Sequence, residues 1–191
     1  MNNSRPHAGF SLLELLIVIT IMSIMAGLIA VNSTTNTGDQ LQGTAEIVAG
    51  EIAYARSLAV TNNDKYLLTF DAVNSQFALT HSGTNAALGT LPTTAFRSPQ
   101  DTATQHVVAF EALPNLGTAV HLLGVLTMSS LPATATTLEF GPLGETTSAD
   151  PTVVWLTAGS GDNARYLAIT VNPVTGLTSI GTLQGNRPAG L

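Results

Sequence analysis

The longest apolar segment of the chain lies near its N-terminus, where residues 10–31 contain one ionisable side chain, Glu14. At about 1.5 Å rise per residue, a helix of this length spans roughly 33 Å, which is enough to cross the roughly 30 Å hydrocarbon core of a membrane. Arg5, on the short leading side, agrees with a cytoplasmic N-terminus. The pattern therefore predicts a membrane-spanning helix that places the rest of the chain on the other side.

A second helix is predicted after a short polar interruption. Residues 32–38 are poor helix formers and predict a kink or break, and Asp39 is the expected N-cap of the helix that follows. As far as Asn62, apolar residues recur at spacings of four and three, which predicts one stripe packing on a sheet. Binding of a partner helix is the less favoured alternative. The stripe consists of Leu41, Ala45, Val48, Ile52, Ala55 and Ala59.

From Lys65 onwards, apolar and polar residues alternate with the period of a β-strand. Two hairpins are predicted, one with its turn at 71–75 and a second, the clearest, with its turn at 172–176 and its return strand at 177–183. The Thr-, Ser-, Gly- and Pro-rich residues 82–106 predict a long loop. Single strands are predicted at 107–113, 121–126, 137–140 and 152–156. The expected fold class is α+β: a long N-terminal helix, its first half transmembrane, packed on a C-terminal antiparallel β-rich domain.

The chain is poor in charge and lacks cysteine. Charged residues make up 9% of the sequence, and the 12 acidic residues against 6 basic ones give no electrostatic basis for broad nucleic-acid binding. Without cysteine there is no disulfide, thiolate or cysteine-based metal site. The sequence predicts no cofactor.

Glu14 distinguishes the N-terminal segment from an ordinary anchor. A charged side chain costs roughly 2.5–3.5 kcal/mol at the centre of a membrane helix and less near its end, and no basic residue lies between Arg5 and Arg56. Cleavage after Gly9 would give Phe10 a free α-amine that neutralises Glu14. A secretory signal peptide is disfavoured because the segment is too long and contains an acid. A plain membrane anchor explains neither this acid nor the abrupt polar-to-apolar step after Gly9.

The stretch Gly9-Phe10-Ser11-Leu12-Leu13-Glu14 resembles the class III signal of type IV pilins and type II secretion pseudopilins. The resemblance implies that prepilin peptidase cuts between Gly9 and Phe10 and that the new N-terminal Phe10 is methylated. It also implies that Glu14 pairs with the amine of a neighbouring subunit as a helical filament grows. The implied segments are a leader peptide (1–9), a transmembrane and assembly helix (10–31), its periplasmic continuation (32–62) and a β-rich globular domain (63–191).

Three later segments resemble the H-type minor pseudopilins and the FimT/FimU-like minor pilins, the GspH/FimT family. They are residues 55–59, residues 140–144 and the hairpin around Thr175-Gly176. The chain lacks the helix proline and the C-terminal disulfide pair of many major pilins, which favours a minor subunit.

The implied function is that of a non-enzymatic structural minor subunit of a type II secretion pseudopilus, which helps to export folded proteins. The alternative is a minor type IV pilin involved in pilus assembly, adhesion or DNA uptake. Implied partners are other pilins or pseudopilins, prepilin peptidase, an inner-membrane assembly platform and, before assembly, membrane lipid. The implied location is the bacterial inner membrane, crossed once, with the C-terminal domain in the periplasm. A simple membrane-anchored binding domain that keeps its first nine residues also stays open.

Other chemistry is weakly supported. His81, His106 and His121 lack metal-ligand spacing and are predicted to be solvated or packed. Residues 159–163 could bind calcium together with Asp150, but a Gly-rich turn is the favoured interpretation. DNA binding by the C-terminal tail is disfavoured, because a single arginine between residues 176 and 187 cannot make the multiple phosphate contacts that such binding needs.

Overall fold

The computed structural model describes residues 11–32, 37–94, 98–113 and 120–191, which fall into two compact units. One unit contains helix α1 (Leu12–Asn32) and the other begins at Thr37. The helix predicted for residues 10–31 is confirmed from Leu12 onwards, whereas Phe10 and the leader lie outside the described residues. Among the described residues, no helix is long and apolar enough to cross a membrane. The membrane-spanning role of residues 10–31 stays a prediction.

Helix α2 (Thr37–Asn62) opens the second unit and ends where the sequence predicted. Asp39 was expected to be its N-cap, but it lies within the first turn, where its carboxylate still faces the partial positive charge of the helix N-terminus. Of the predicted break, residues 33–36 lie outside the described residues. The apolar stripe is confirmed as a core-packing face, since all six of its members are fully buried: Leu41, Ala45, Val48, Ile52, Ala55 and Ala59.

Nine strands follow α2 in the part of the chain that the structure describes. They are β1 (Tyr66–Asp71), β2 (Gln76–His81), β3 (Gln105–Ala109), β4 (Val120–Thr127), β5 (Ala133–Ala135), β6 (Thr137–Phe140), β7 (Thr152–Ala158), β8 (Arg165–Val171) and β9 (Thr178–Ile180). They form two antiparallel sheets, ordered β3-β2-β1-β6 and β5-β4-β7-β8-β9. The α+β fold class is confirmed, with α2 packed on strands of both sheets.

The core lies between α2 and the inner faces of the two sheets. Because side chains alternate along a strand, Tyr66, Leu68 and Phe70 of β1 all point to one face, and all three are buried. Phe77 of β2 packs edge to face on Phe110, with ring centroids 6.2 Å apart. A smaller apolar cluster forms separately around Leu126, Val153 and Trp155. The second unit therefore has its own well-packed interior.

Three strand predictions needed correction. The strand expected at 107–113 is β3, which starts two residues earlier and gives way to a 3-10 turn at Phe110–Ala112. The return strand expected over 177–183 is limited to β9, followed by an isolated bridge between Tyr166 and Gln184, because small and polar residues there offer little apolar surface to bury. Strand β5 was not predicted, since the alternation in its three-residue Ala-Thr-Ala sequence is too short and too weakly apolar to indicate a strand.

Candidate functional site

Helix α1 presents a continuous apolar surface. Eleven large apolar side chains between Leu12 and Met25 are exposed, with exposed fractions from 45% to 85%. A patch of this size on a monomer marks a surface that lipid or another protein covers. These apolar side chains lie all around the helix rather than along one stripe. Such a distribution is typical of a helix that its surroundings cover on all sides. The exposed side chains are Leu12, Leu13, Leu15, Leu16, Ile17, Val18, Ile19, Ile21, Met22, Ile24 and Met25.

Glu14 lies in the first turn of α1 and is its one ionisable residue. Ser11 caps the helix: its Oγ accepts from the Glu14 amide at 3.4 Å, and its carbonyl accepts from the Leu15 amide at 3.1 Å. The carboxylate is exposed and stands at the positive end of the helix dipole. Within residues 11–32, 37–94, 98–113 and 120–191, no ion pair involves Glu14. The predicted processing pair, Gly9 and Phe10, lies outside the described residues.

Another polar side chain of α1, Thr20, is satisfied inside the helix. Its hydroxyl donates to the carbonyl of Ile17 at 2.8 Å, as Ser and Thr often do within apolar helices. Thr20 therefore has its hydrogen-bond partner within α1, whereas Glu14 has no ion-pair partner among the described residues. Thr20 is therefore a suitable control position for substitutions of Glu14 in the same helix.

The second unit contains an arginine clamp, in which Arg56 binds the two turns that contain Gly144 and Gly176. The Arg56 Nε donates to the carbonyl of Thr175 at 2.7 Å and to that of Gly144 at 3.3 Å. Helix α2 is thereby attached to the turn after β6 and to the turn between β8 and β9. The three sequence segments that carried the resemblance to the GspH/FimT family are thus in contact with one another. They are far apart in sequence, and the Arg56 hydrogen bonds join them in the folded domain.

Both glycines of the arginine clamp have positive φ, 84° at Gly144 and 64° at Gly176. A Cβ at Gly176 would lie 2.0 Å from the Gly144 carbonyl oxygen, far inside van der Waals contact. Glycine is therefore required at position 176 both by the backbone conformation and by the close approach of the second turn. The two turns hold Leu143 and Val174 at the surface, 85% and 78% exposed.

The structure also unites three ionisable residues whose association the sequence did not predict: Glu51 of α2, Asp101 of the long loop and His106 of β3, the acid–histidine cluster. The Nε2 atom of His106 lies 3.4 Å from Glu51 Oε2, and its Nδ1 lies 3.3 Å from Asp101 Oδ2. The exposed fractions of His106 and Glu51 are 4% and 9%. Burial lowers the pKa of His106, but the attraction of Glu51, and then of Asp101, outweighs burial and raises this pKa above its usual value.

Asp101 is held by the backbone as well as by His106. Its Oδ1 accepts from the Val107 amide at 2.7 Å, and its Oδ2 accepts from the Ser98 amide at 3.1 Å. Burial raises the pKa of Asp101, but these two amides and the charge of His106 together bring it below its usual value. Asp101 is therefore stabilised as an anion even without the imidazole, because two amide donors remain.

A signal for this cluster was present in the sequence. Glu51 follows Val48 by three residues and precedes Ala55 by four, so it occupies the buried face of α2. Likewise, His106 shares a strand face with Val108, which belongs to the main core. A charged residue at an apolar position of a helix indicates a buried partner, and this was the observation that could have found the cluster.

The other residues considered for metal chemistry are separate. His81 is packed against Asp64, with Nε2 3.0 Å from Oδ2, and the exposed His121 has its Nδ1 3.3 Å from Ser75 Oγ. Residues 159–163 form the turn between β7 and β8, where Arg165 donates to the Asp162 carbonyl at 3.2 Å. Over the described parts of the chain, no group of three His, Cys, Asp or Glu residues is arranged to hold a metal ion.

Two family models match the chain. The prokaryotic N-terminal methylation motif matches residues 4–30, which include Glu14. The model of the type II transport protein GspH matches residues 44–176, which include most of α2, strands β1 to β8 and all three residues of the arginine clamp. No curated protein sequence matches the chain.

Solved structures provide more distant likenesses. The type IV minor pilin FimU of Pseudomonas aeruginosa is 16% identical to this chain in two crystal forms. The first form has a TM-score of 0.42 and covers 74% of this chain and 93% of the FimU chain. The second has a TM-score of 0.43 and covers 78% of this chain and 90% of the FimU chain. The minor pseudopilin EpsH from the type 2 secretion system of Vibrio cholerae is 11% identical, with a TM-score of 0.47, covering 74% of this chain and 95% of EpsH.

Proposed function

The chain belongs to the family of the type II transport protein GspH, and from that premise we propose that it is a structural minor subunit of a type II secretion pseudopilus, which helps to export folded proteins. The observation that carries the proposal is the GspH match over residues 44–176, preceded by a methylation motif over residues 4–30. The family comprises structural pilin-like subunits, and the chain is not an enzyme. Family membership also implies assembly with other pilins and processing by prepilin peptidase.

The proposed location follows from the N-terminal motif. A prepilin-type segment anchors the subunit in the bacterial inner membrane, and the domain that begins at Thr37 faces the periplasm. The exposed apolar side chains of α1 support this assignment, because lipid would cover them before assembly and neighbouring subunits would cover them afterwards. An inner-membrane assembly platform would move the subunit between these two environments.

Glu14 is proposed to provide the assembly charge pair. Prepilin peptidase would cut between Gly9 and Phe10, and the methylated amine of Phe10 would carry a positive charge. Without that partner, the Glu14 carboxylate would be an unpaired charge in an apolar environment, which is strongly unfavourable. A neighbouring subunit that brings its Phe10 amine close to Glu14 would relieve this cost and would set the axial register of the filament.

A deletion strain tests the proposed function. Exported proteins should accumulate in the periplasm when the gene is deleted, and the wild-type copy should restore their secretion. Glu14→Val should insert into the membrane but fail to restore secretion, because it cannot pair with the amine. Thr20→Val is the matched control, since its hydroxyl bonds within its own helix, and it should restore secretion fully.

The same strain distinguishes the alternative, a minor type IV pilin involved in pilus assembly, adhesion or DNA uptake. Normal secretion after deletion, together with loss of pili or of transformation, would contradict the secretion role and favour the pilus. Full restoration of secretion by Glu14→Val would instead contradict the charge pair while leaving the secretion role intact. The two parts of the proposal are thereby tested separately.

A further inference from the structure

The acid–histidine cluster fastens a long loop to α2. The loop is tied to itself on the strand side, because the Leu91 amide donates to the Ala103 carbonyl at 2.8 Å and the Thr102 amide donates to the Gln105 carbonyl at 2.9 Å. Asp101 adds the bonds that it accepts from the Ser98 and Val107 amides. Through His106, this assembly reaches Glu51 on the helix. The imidazole therefore links the loop to the helix.

That link depends on the charge of the ring. A protonated imidazole has two N–H donors and can serve both carboxylates, whereas a neutral imidazole has one donor and can serve one. While the loop is closed, Asp101 also accepts from the Ser98 and Val107 amides. Among the described residues, Glu51 Oε2 is buried without a hydrogen bond, so it depends on the positive charge of the ring 3.4 Å away. Deprotonation would leave the buried Glu51 and the partly buried Asp101 carboxylates with no opposing charge.

Each element packed against the ring contributes a defined group. Helix α2 contributes Glu51. The loop contributes Asp101 and the Thr94 hydroxyl, which lies 3.1 Å from Nδ1 and 3.2 Å from Nε2. Strand β2 places the apolar Leu79 opposite His106 in the sheet. Tyr54, also on α2, stays neutral at physiological pH because burial, and then Glu51, raises its pKa above 10. The two carboxylates are therefore the charges that face the ring within the described part of the chain.

We propose that the acid–histidine cluster is a proton-dependent latch: protonated His106 of β3 bridges Glu51 and Asp101 and holds loop residues 98–104 against α2, and loss of the proton releases the loop. The latch stabilises the closed loop below the pKa of a free histidine, about 6.5. It weakens as pH rises through the value in the folded protein. The position of this loop, and so the surface that it forms, thereby depends on the pH of the surrounding solution.

The test measures titration and opening in the same sample, the full chain in detergent micelles. The pKa of His106 is obtained from its ring resonances by NMR. Hydrogen exchange of the Ser98 and Val107 amides, corrected for intrinsic rates, is followed at about pH 5.5 and about pH 8.5. We expect His106 to titrate above 6.5 and both amides to lose protection at the higher pH. The loss should approach tenfold for each unit by which the two pKa values, closed and open, differ.

Two variants isolate the latch. His106→Gln keeps an N–H donor but cannot titrate, so protection of the two amides should no longer change with pH. His121→Gln, at an exposed histidine beside Ser75, should keep the full wild-type change. Titration of His106 at or below 6.5, equal protection of the wild type at both pH values, or a pH response that survives in His106→Gln would each overturn the proposal. If His106→Gln does not fold, the wild-type measurements decide alone.

Discussion

Replacing Gly176 by alanine tests the arginine clamp. The residue has φ 64°, and alanine pays roughly 1–2 kcal/mol for the left-handed conformation. In addition, its Cβ would lie 2.0 Å from the Gly144 carbonyl oxygen and 3.0 Å from Phe140 Cε1, so one of the two turns must move. Forcing extra atoms into a packed site costs about 1–3 kcal/mol more. The expected loss in free energy of unfolding is therefore about 2–5 kcal/mol.

Gly161 provides a matched control. Its φ is 57°, close to that of Gly176, but a Cβ there meets no atom within 4 Å. Gly161→Ala should therefore cost only the conformational part, about 1–2 kcal/mol. The difference between the two losses in free energy of unfolding measures the cost of the close contact between the two turns, because the cost of positive φ is common to both variants.

Denaturant unfolding of the full chain in detergent micelles, followed by fluorescence, gives the two free energies. The chain has a single tryptophan, Trp155, buried in β7, so the signal reports on the folded domain rather than on α1. Equal losses for Gly176→Ala and Gly161→Ala would refute the reasoning, because they would show that the Gly144 carbonyl does not press on position 176.

Three further predictions use simple measurements. Gly50→Ala, at an exposed site in α2 with open space for a Cβ, should raise the free energy of unfolding by about 1 kcal/mol in the Trp155 assay; no gain would contradict the helical assignment. The pKa of Asp101 lies below 3.8 in the folded protein, so ionised Asp101 stabilises the fold above pH 3.8, and this contribution is lost as pH falls through the folded pKa. In Asp101→Asn, the free energy of unfolding should therefore fall less steeply with pH in this acidic range. Gly9→Ala should retain the leader, and an intact mass equal to that of the processed wild type would contradict cleavage after Gly9.

Much of the fold could be predicted because its signals are local. The buried stripe of α2 follows the helical period, and the β1–β2 hairpin follows the strand period on either side of a turn. Strand β5 escaped prediction because its pairing with β4 depends on tertiary contacts rather than on an apolar pattern of its own. Likewise, the arrangement of strands in two sheets depends on long-range pairing, such as that of β1 with β6, which periodicity does not encode.

The chain contains the same physical problem twice, and sequence reasoning recognised only one instance. Glu14 and Glu51 are both carboxylates among apolar residues of helices. An unpaired charge is strongly unfavourable at the buried position of Glu51 and would be so for Glu14 in the proposed membrane or filament. For Glu51 the answer lies within the chain, since folding brings His106 to within 3.4 Å. For Glu14, no partner is present among the described residues of one chain, and the surrounding side chains of α1 are exposed. Folding therefore satisfies the second acid, whereas we expect assembly with another subunit to satisfy the first.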